Sequence, residues 1–245
     1  MNPSITLAVA RRVLTQLRRD HRTLAMMLVL PCLLLTLLWW MFDRNEMVFE
    51  RLGPPLVAVF PFTVMFLVTS VTTLRERSSG TLERLLSMPM NKLDLLLGYA
   101  IAFAVVALAQ ALLVVALTVG LLGLDVTGPL WALAVVAVLD AVLGSALGLF
   151  VSAFAQTEFQ AVQFMPAFVI PQLLLCGLFL SRDSLPGVLS AVSDVLPLSY
   201  AVDAMQRLQT TASLDAGFGV DVTVVAAFGV AAVVLGAATL RRRTD

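Results

Sequence analysis

The chain has 245 residues, 60% of them apolar and only 13% charged, and its sixteen basic and sixteen acidic side chains balance to a formal net charge of zero. A soluble domain carries about 25% charged residues to face water, so this composition excludes a soluble globule and leaves lipid as the solvent for most of the surface. The two cysteines, Cys32 and Cys176, both lie in apolar runs, which excludes a disulfide framework or a cysteine-based metal cluster.

In chain order, residues 1–22 come first. Val9, Ala10, Val13, Leu14 and Leu17 fall on one arc of a helical wheel, and Arg11, Arg12, Arg18, Arg19 and Arg22 on another. This pattern predicts an amphipathic helix lying in the headgroup plane, with its arginines meeting anionic lipid. The first uncharged run begins only after these arginines and lacks a small-residue cleavage site, so it reads as a span rather than a removable signal.

A helix crossing a bilayer core of about 30 Å needs about 20 apolar residues. Runs of that kind occupy 24–42, 52–74, 95–124, 126–157, 159–181 and 222–240; the fourth is interrupted only by Asp140. None alternates every second residue as a barrel strand does, and all must satisfy their backbone internally, so all six are predicted to be α-helices. The fold class is therefore an all-α membrane protein, one transmembrane domain over residues 1–245.

Two connecting segments carry their own signals. Residues 75–93 run Arg75-Glu76-Arg77-Ser78-Ser79-Gly80-Thr81-Leu82-Glu83-Arg84-Leu85-Leu86-Ser87-Met88-Pro89. Ser79 or Thr81 offers a helix start, Leu82, Leu85 and Leu86 share one face, Pro89 stops the turn, and Asn91 with Asp94 offers a cap for the third span. Such a short apolar stripe needs something to bury it. Residues 182–209 hold Pro186 and Pro197 as breaks and no run long enough to span, which predicts short helices dipping back towards the membrane.

Positive charge sets the orientation. Twelve of the sixteen basic residues fall before the first span, in 75–93 and after the last span, which places both ends and that loop in the cytoplasm.

Several side chains within the spans are candidates for a translocation path. Asp140 is the sole acid in mid-span, and an ionisable group there costs about 2.5–3.5 kcal/mol on insertion scales, so it is expected to face a cavity, a cationic substrate or a hydrogen-bonding helix. Gln110, Gln160, Gln163 and Gln172 are either substrate contacts or interhelical hydrogen-bonding groups, the commoner use of amides in a membrane. Phe60, Phe62, Phe66, Phe164, Phe168 and Phe179 either line an apolar path or pack against helices and lipid. Gly144 and Gly148 form a small-x-x-x-small pattern for close helix packing. His21, the only histidine, sits beside Arg22 and has no second ligand for metal binding or catalysis.

The 75–89 sequence, followed by a third span, closely resembles the cytoplasmic loop of ABC-2 type permeases, the membrane subunits of ATP-binding-cassette exporters of the daunorubicin-resistance kind. Leu196-Pro197-Leu198-Ser199-Tyr200-Ala201-Val202-Asp203-Ala204, before the last span, is similar to that family's signature. The resemblance implies that Gly80, Thr81, Leu82, Glu83, Arg84, Leu85 and Leu86 form a coupling helix that docks in a cytoplasmic ATPase. It implies two copies of that ATPase, a second permease subunit (identical or paralogous), and short outer helices near 185–192 at an external gate. This chain itself is then expected to bind no cofactor, with ATP and Mg held by the ATPase, and to contact no nucleic acid. The expected setting is a bacterial plasma (inner) membrane and the expected cargo a hydrophobic or amphipathic drug, antibiotic or lipid. No G-x-x-x-x-G-K-[ST] phosphate loop is present, so the ATPase is expected to be a separate chain.

The competing classes are an intramembrane enzyme and an ion-driven secondary transporter. An aspartyl protease needs two mid-span aspartates, a metalloprotease needs H-E-x-x-H, and a serine protease needs a histidine partner; none is found. A secondary transporter tends to show internal repeats and several intramembrane charges, which this chain lacks.

Overall fold

The computed structural model describes residues 2–42, 46–80 and 92–239, and these are helical throughout apart from short connections. The helices are α1 (Pro3–Arg19), α2 (His21–Met41), α3 (Glu46–Ser78), α4 (Lys92–Gly120), α5 (Leu130–Val151), α6 (Glu158–Leu175), α7 (Gly187–Asp194), α8 (Pro197–Thr210) and α9 (Ala216–Thr239). A 3-10 turn, Arg182–Ser184, precedes α7.

Local chemistry fixes several boundaries. Asn2 caps α1 by accepting from the Ser4 N–H, with Pro3 at the first helical position. Asp20 separates α1 from α2 and accepts the Thr23 N–H at 3.1 Å, and Thr157 caps α6 by accepting the Gln160 N–H at 3.2 Å. α4 ends at Gly120 rather than running to 124, and the chain then turns at Gly123, whose φ of +69° suits glycine. α5 begins after Pro129 and ends at Val151, inside the apolar run 126–157. α6 stops at Leu175 rather than 181, and the chain leaves it through Gly177 at φ +89°. Hydropathy measures apolarity, and the backbone here ends its helices within apolar sequence.

Among the described residues five helices, α2, α3, α4, α5 and α9, are long and apolar enough to cross a membrane. α6 has 18 residues, about 27 Å at 1.5 Å per residue, and is diluted by Pro166, Pro171 and four polar side chains. Its contacts nevertheless reach both ends of the bundle. Glu158 pairs with Arg75 at the end of α3, at 2.9 Å, while the Leu175 carbonyl accepts the Ser193 hydroxyl of α7 at 2.8 Å.

α7 and α8 bend by 90° to each other. Together they return to the side they started from. Arg182 before α7 pairs with Asp203 in α8, and Arg207 near the end of α8 pairs with Asp221 at the start of α9. The far end of α9 meets α5, where Gly236 faces Phe150. The hairpin α7–α8 therefore turns back at one end of the bundle, and α6 runs between the two ends beside the five candidate spans.

α3 and α5 form the centre of the bundle. α9 and α4 flank α5, α6 and α8 pack on α3, and α1 lies along α4. A Cβ at Gly144 would overlap the Phe62 carbonyl, and one at Gly148 the Phe66 carbonyl, so α5 rests directly on the backbone of α3. The apolar stripe of α1 is buried against protein: Val9, Ala10, Val13 and Leu17 are all buried, and Val9 presses on Gly98 of α4. On α2, Met26, Val29, Leu33, Leu37 and Trp40 stay exposed, as a lipid-facing helix requires.

Candidate functional site: two braced ends and a buried aspartate

One end of the bundle gathers α1, the end of α3, the start of α4 and the start of α6. Arg12 of α1 reaches Glu76 of α3 at 3.1 Å, and both side chains are largely buried. Neighbouring Arg75 makes a two-pronged contact with Glu158, Nε at 2.9 Å and Nη2 at 3.0 Å. Arg77 donates to the Ser152 carbonyl at 2.9 Å, past the end of α5. On α4, Asp94 accepts from the Asn2 backbone N–H at 3.1 Å and faces the Thr6 hydroxyl at 3.5 Å, so its carboxylate ties α4 to α1. Three successive residues of α3 thus tie to three different elements. Of the proposed coupling residues, Gly80 closes this region, at φ +68° and with open space around its Cα. Thr81, Leu82, Glu83, Arg84, Leu85 and Leu86 lie outside the described residues, as does Asn91.

At the opposite end the Leu196–Ala204 signature forms the start of α8. Leu198, Ala201, Val202, Ala204 and Met205 are fully buried. The Ser193 and Ser199 hydroxyls lie 3.1 Å apart, and Gln172 of α6 accepts the Leu198 N–H at 3.4 Å. Arg182 is the hub. It pairs with Asp194 of α7 and Asp203 of α8, and its guanidinium lies 5.1 Å from the centre of the Tyr200 ring. Burial works against the Arg182 charge, but Asp203 and Asp194 outweigh it and its pKa lies above the ordinary value. Burial pushes the Asp203 carboxyl up, and Arg182 offsets only part of that rise. A second arginine, Arg207, joins Asp215 at 3.0 Å and Asp221 at 2.9 Å. The loop before α5 locks to the end of α8, with the Gly128 N–H donating to the Leu208 carbonyl at 2.7 Å and the Thr127 hydroxyl to the Gln209 carbonyl at 2.7 Å. Sequence reasoning picked out the signature but missed both arginine hubs. Each arginine stands among acidic neighbours, which is a signal for pairing, although the choice of partner depends on the bend between α7 and α8.

Between the two ends, the sequence-predicted path residues separate into groups. Phe62 and Phe66 of α3 meet Gly144 and Gly148 of α5, and they and Asp140, one turn before Gly144, are fully buried. Phe168 of α6 stacks on Phe66 at 6.2 Å between ring centres and is partly exposed, whereas Gln163 is exposed on α6. Gln110 donates to the Met27 carbonyl of α2 at 2.7 Å, a helix-to-helix bond, and Gln172 bridges α6 to α8. Phe179 is exposed beyond the end of α6. Neither Asp140 oxygen has a hydrogen-bond partner among the described residues. Among those residues no group of three or more His, Cys, Asp or Glu side chains is placed to hold a metal ion.

The family described as ABC-2 type transporter matches residues 5–210. Over 193 residues the chain is 28% identical to the probable multidrug ABC transporter permease YbhS of Escherichia coli (strain K12), an alignment covering 78% of this chain and 51% of that protein. It is 28% identical over 163 residues to the probable multidrug ABC transporter permease YbhR of the same organism, covering 66% of this chain and 44% of the relative. The linearmycin resistance permease protein LnrN of Bacillus subtilis (strain 168) is 24% identical over 153 residues, covering 60% and 39%. The chain spans about half the length of the curated relatives it matches.

Proposed function

Because this multi-pass membrane chain belongs to the ABC-2 type transporter family, we propose that it is the permease of an ATP-driven exporter that carries a hydrophobic or amphipathic compound out of the cell. The observation that carries this reading is the family match over residues 5–210, on a bundle that braces the end where α3 stops and α4 begins and caps the other with a bent hairpin. Its relatives named as multidrug and linearmycin resistance permeases favour a drug, antibiotic or lipid-like cargo.

In this reading the α1 end faces the cytoplasm of a bacterial cell, as the excess of arginine on that side supports. The exposed arginines of α1 then meet anionic lipid while its apolar stripe stays on α4. Gly80 to Leu86 dock into a separate ATPase, which holds ATP and Mg, and two such ATPases serve two permease subunits. The ion pairs of Arg75 and Glu76 give that docking segment a stiff base: a push at residue 80 is delivered to α1, α3 and α6 together. Phe62, Phe66, Phe168, Gln163 and Asp140 are the proposed path residues, and α7–α8 the outer seal.

The test is co-purification from native membranes. The parent chain is expected to bring down an ATPase. Leu85→Asp with Leu86→Asp, which charges the apolar stripe, is expected to lose most of that ATPase and to reduce ATP-driven efflux about tenfold or more. Retention of both the ATPase and the flux would overturn the coupling assignment, and transport driven by a proton gradient alone would overturn the exporter reading.

A further inference from the structure

Pro31 stands at the middle of α2, a helix of 21 residues. Proline has no N–H, so the Met27 carbonyl, four residues before it, loses its partner within the helix. A bare carbonyl in a membrane-spanning helix needs a donor from a neighbour. Here the donor is Gln110 of α4, whose Nε2 lies 2.7 Å from the Met27 carbonyl oxygen. Met27 and Gln110 are both fully buried. The Gln110 Oε1 has no donor among the described residues, an unfavourable state that a leucine of similar size would avoid. The amide is therefore matched to the one carbonyl that Pro31 frees.

The two halves of α2 are held differently. Before Pro31 the helix is fastened. Asp20 joins it directly to α1, and α1 lies on α4 through Val9 against Gly98 and the Asn2 N–H on Asp94. Gln110 then fixes Met27 to the same α4. Beyond Pro31, no hydrogen bond runs from α2 to another helix among the described residues, and the Thr36 hydroxyl turns back onto the Cys32 carbonyl at 2.8 Å, a bond that favours bending. Leu35 is fully buried there, while Leu33, Leu37 and Trp40 are exposed.

We infer that Pro31 and Gln110 form a hinge in α2: the half before Pro31 travels with α1 and α4, and the half beyond it swings against α4 as the permease changes state. Gln110 is then a positioning residue, which lets the helix carry a proline without leaving the freed carbonyl bare. The assignment rests on the exporter reading and adds to it which helix bends and where.

The pairing is tested by a double-mutant cycle on thermal unfolding of the native complex in detergent. Gln110→Leu lowers the melting temperature by about 4 °C in the parent, but by less than about 1 °C beside Pro31→Ala, whose restored N–H satisfies Met27. The swing is tested by spin-label distances in the complex, free of nucleotide and then trapped with ATP and vanadate, with Cys32 and Cys176 replaced by alanine. Trp40→Cys with Leu121→Cys places labels at the ends of α2 and α4 beyond the hinge, and Met26→Cys with Leu108→Cys places them before it; all four positions are exposed. Trp40 lies about 14 Å past Pro31 along the helix, so a swing of about 20° shifts the first pair by about 5 Å. The second pair changes by less than about 2 Å, within ordinary thermal displacement. Pro31→Ala stiffens the helix and abolishes the first shift, whereas Pro31→Gly, pliable without proline, keeps it.

The inference is overturned if Gln110→Leu acts equally in both backgrounds, if both label pairs move or neither does, if Pro31→Ala moves like the parent, or if Pro31→Gly does not move. Should neither Pro31 variant assemble, the proline serves the fold itself and the hinge falls as well. In each of those cases a parent complex that is trapped by ATP and vanadate leaves the exporter reading standing. A parent with no ATPase to trap would remove that reading, and the swing with it.

Discussion

At Gly144 and Gly148 a missing side chain permits a close helix contact, because α5 lies against carbonyl oxygens of α3 rather than against flexible side chains. Backbone cannot move aside as a side-chain tip can. Gly144→Ala is therefore expected to push the two central helices apart and to cost about 1–3 kcal/mol, the usual range for overpacking. Gly229→Ala, a glycine on α9 with nothing within 4 Å of a new Cβ, is expected to be neutral or slightly stabilising. Thermal unfolding of the two variants in detergent compares them directly; equal melting temperatures would refute the close-contact argument. The spacing of these glycines was legible in the sequence, since small-x-x-x-small is a local pattern. Their partners Phe62 and Phe66, some eighty residues away, were not. The same division holds for the charges: Arg12 reads as an arginine facing lipid, yet it closes on Glu76 across 64 residues.

At the scale of elements, apolar runs announced the crossing helices, but the path of the chain between 175 and 216 could not be derived from hydropathy. Pro186 and Pro197 mark the breaks, while the 90° bend depends on tertiary pairing through Arg182. That pairing predicts a pH response. Asp203 is half-buried, and burial raises its pKa above the ordinary carboxylate value, so the folded cap binds its proton more readily than the unfolded chain does. A group raised in this way contributes stability at acid pH that is lost as pH rises through its folded value. Arg182 offsets part of the penalty in the parent chain. In Arg182→Met the offset is gone, so amide protection across Pro197–Thr210 should fall as pH rises above the ordinary carboxylate range, and much more than in the parent. Hydrogen exchange corrected for intrinsic rates measures it. A variant whose protection follows the parent's at every pH would show that Arg182 does not hold the cap.

The whole molecule turns on how many times the chain crosses between its two ends. α6 is short and polar for a span, and α7 with α8 is long enough together to be mistaken for one. If the bent pair crossed the membrane, Ser184 before it and Ser213 after it would face opposite compartments. If α6 is the crossing element and the pair is re-entrant, they face the same side, across the bilayer from Gln16 on α1. All three positions are exposed, so each accepts a label without disturbing the core. Single-cysteine variants Ser184→Cys, Ser213→Cys and Gln16→Cys, built with Cys32 and Cys176 replaced by alanine, separate the two arrangements. With a membrane-impermeant maleimide on intact cells, Ser184→Cys and Ser213→Cys should label fully. Gln16→Cys should label only after lysis, given the arginines gathered around α1. Opposite behaviour of the two outer positions would make α7–α8 a span, and the Arg182 hub would then lie within the bilayer, where so many charges would demand a different account of the cap.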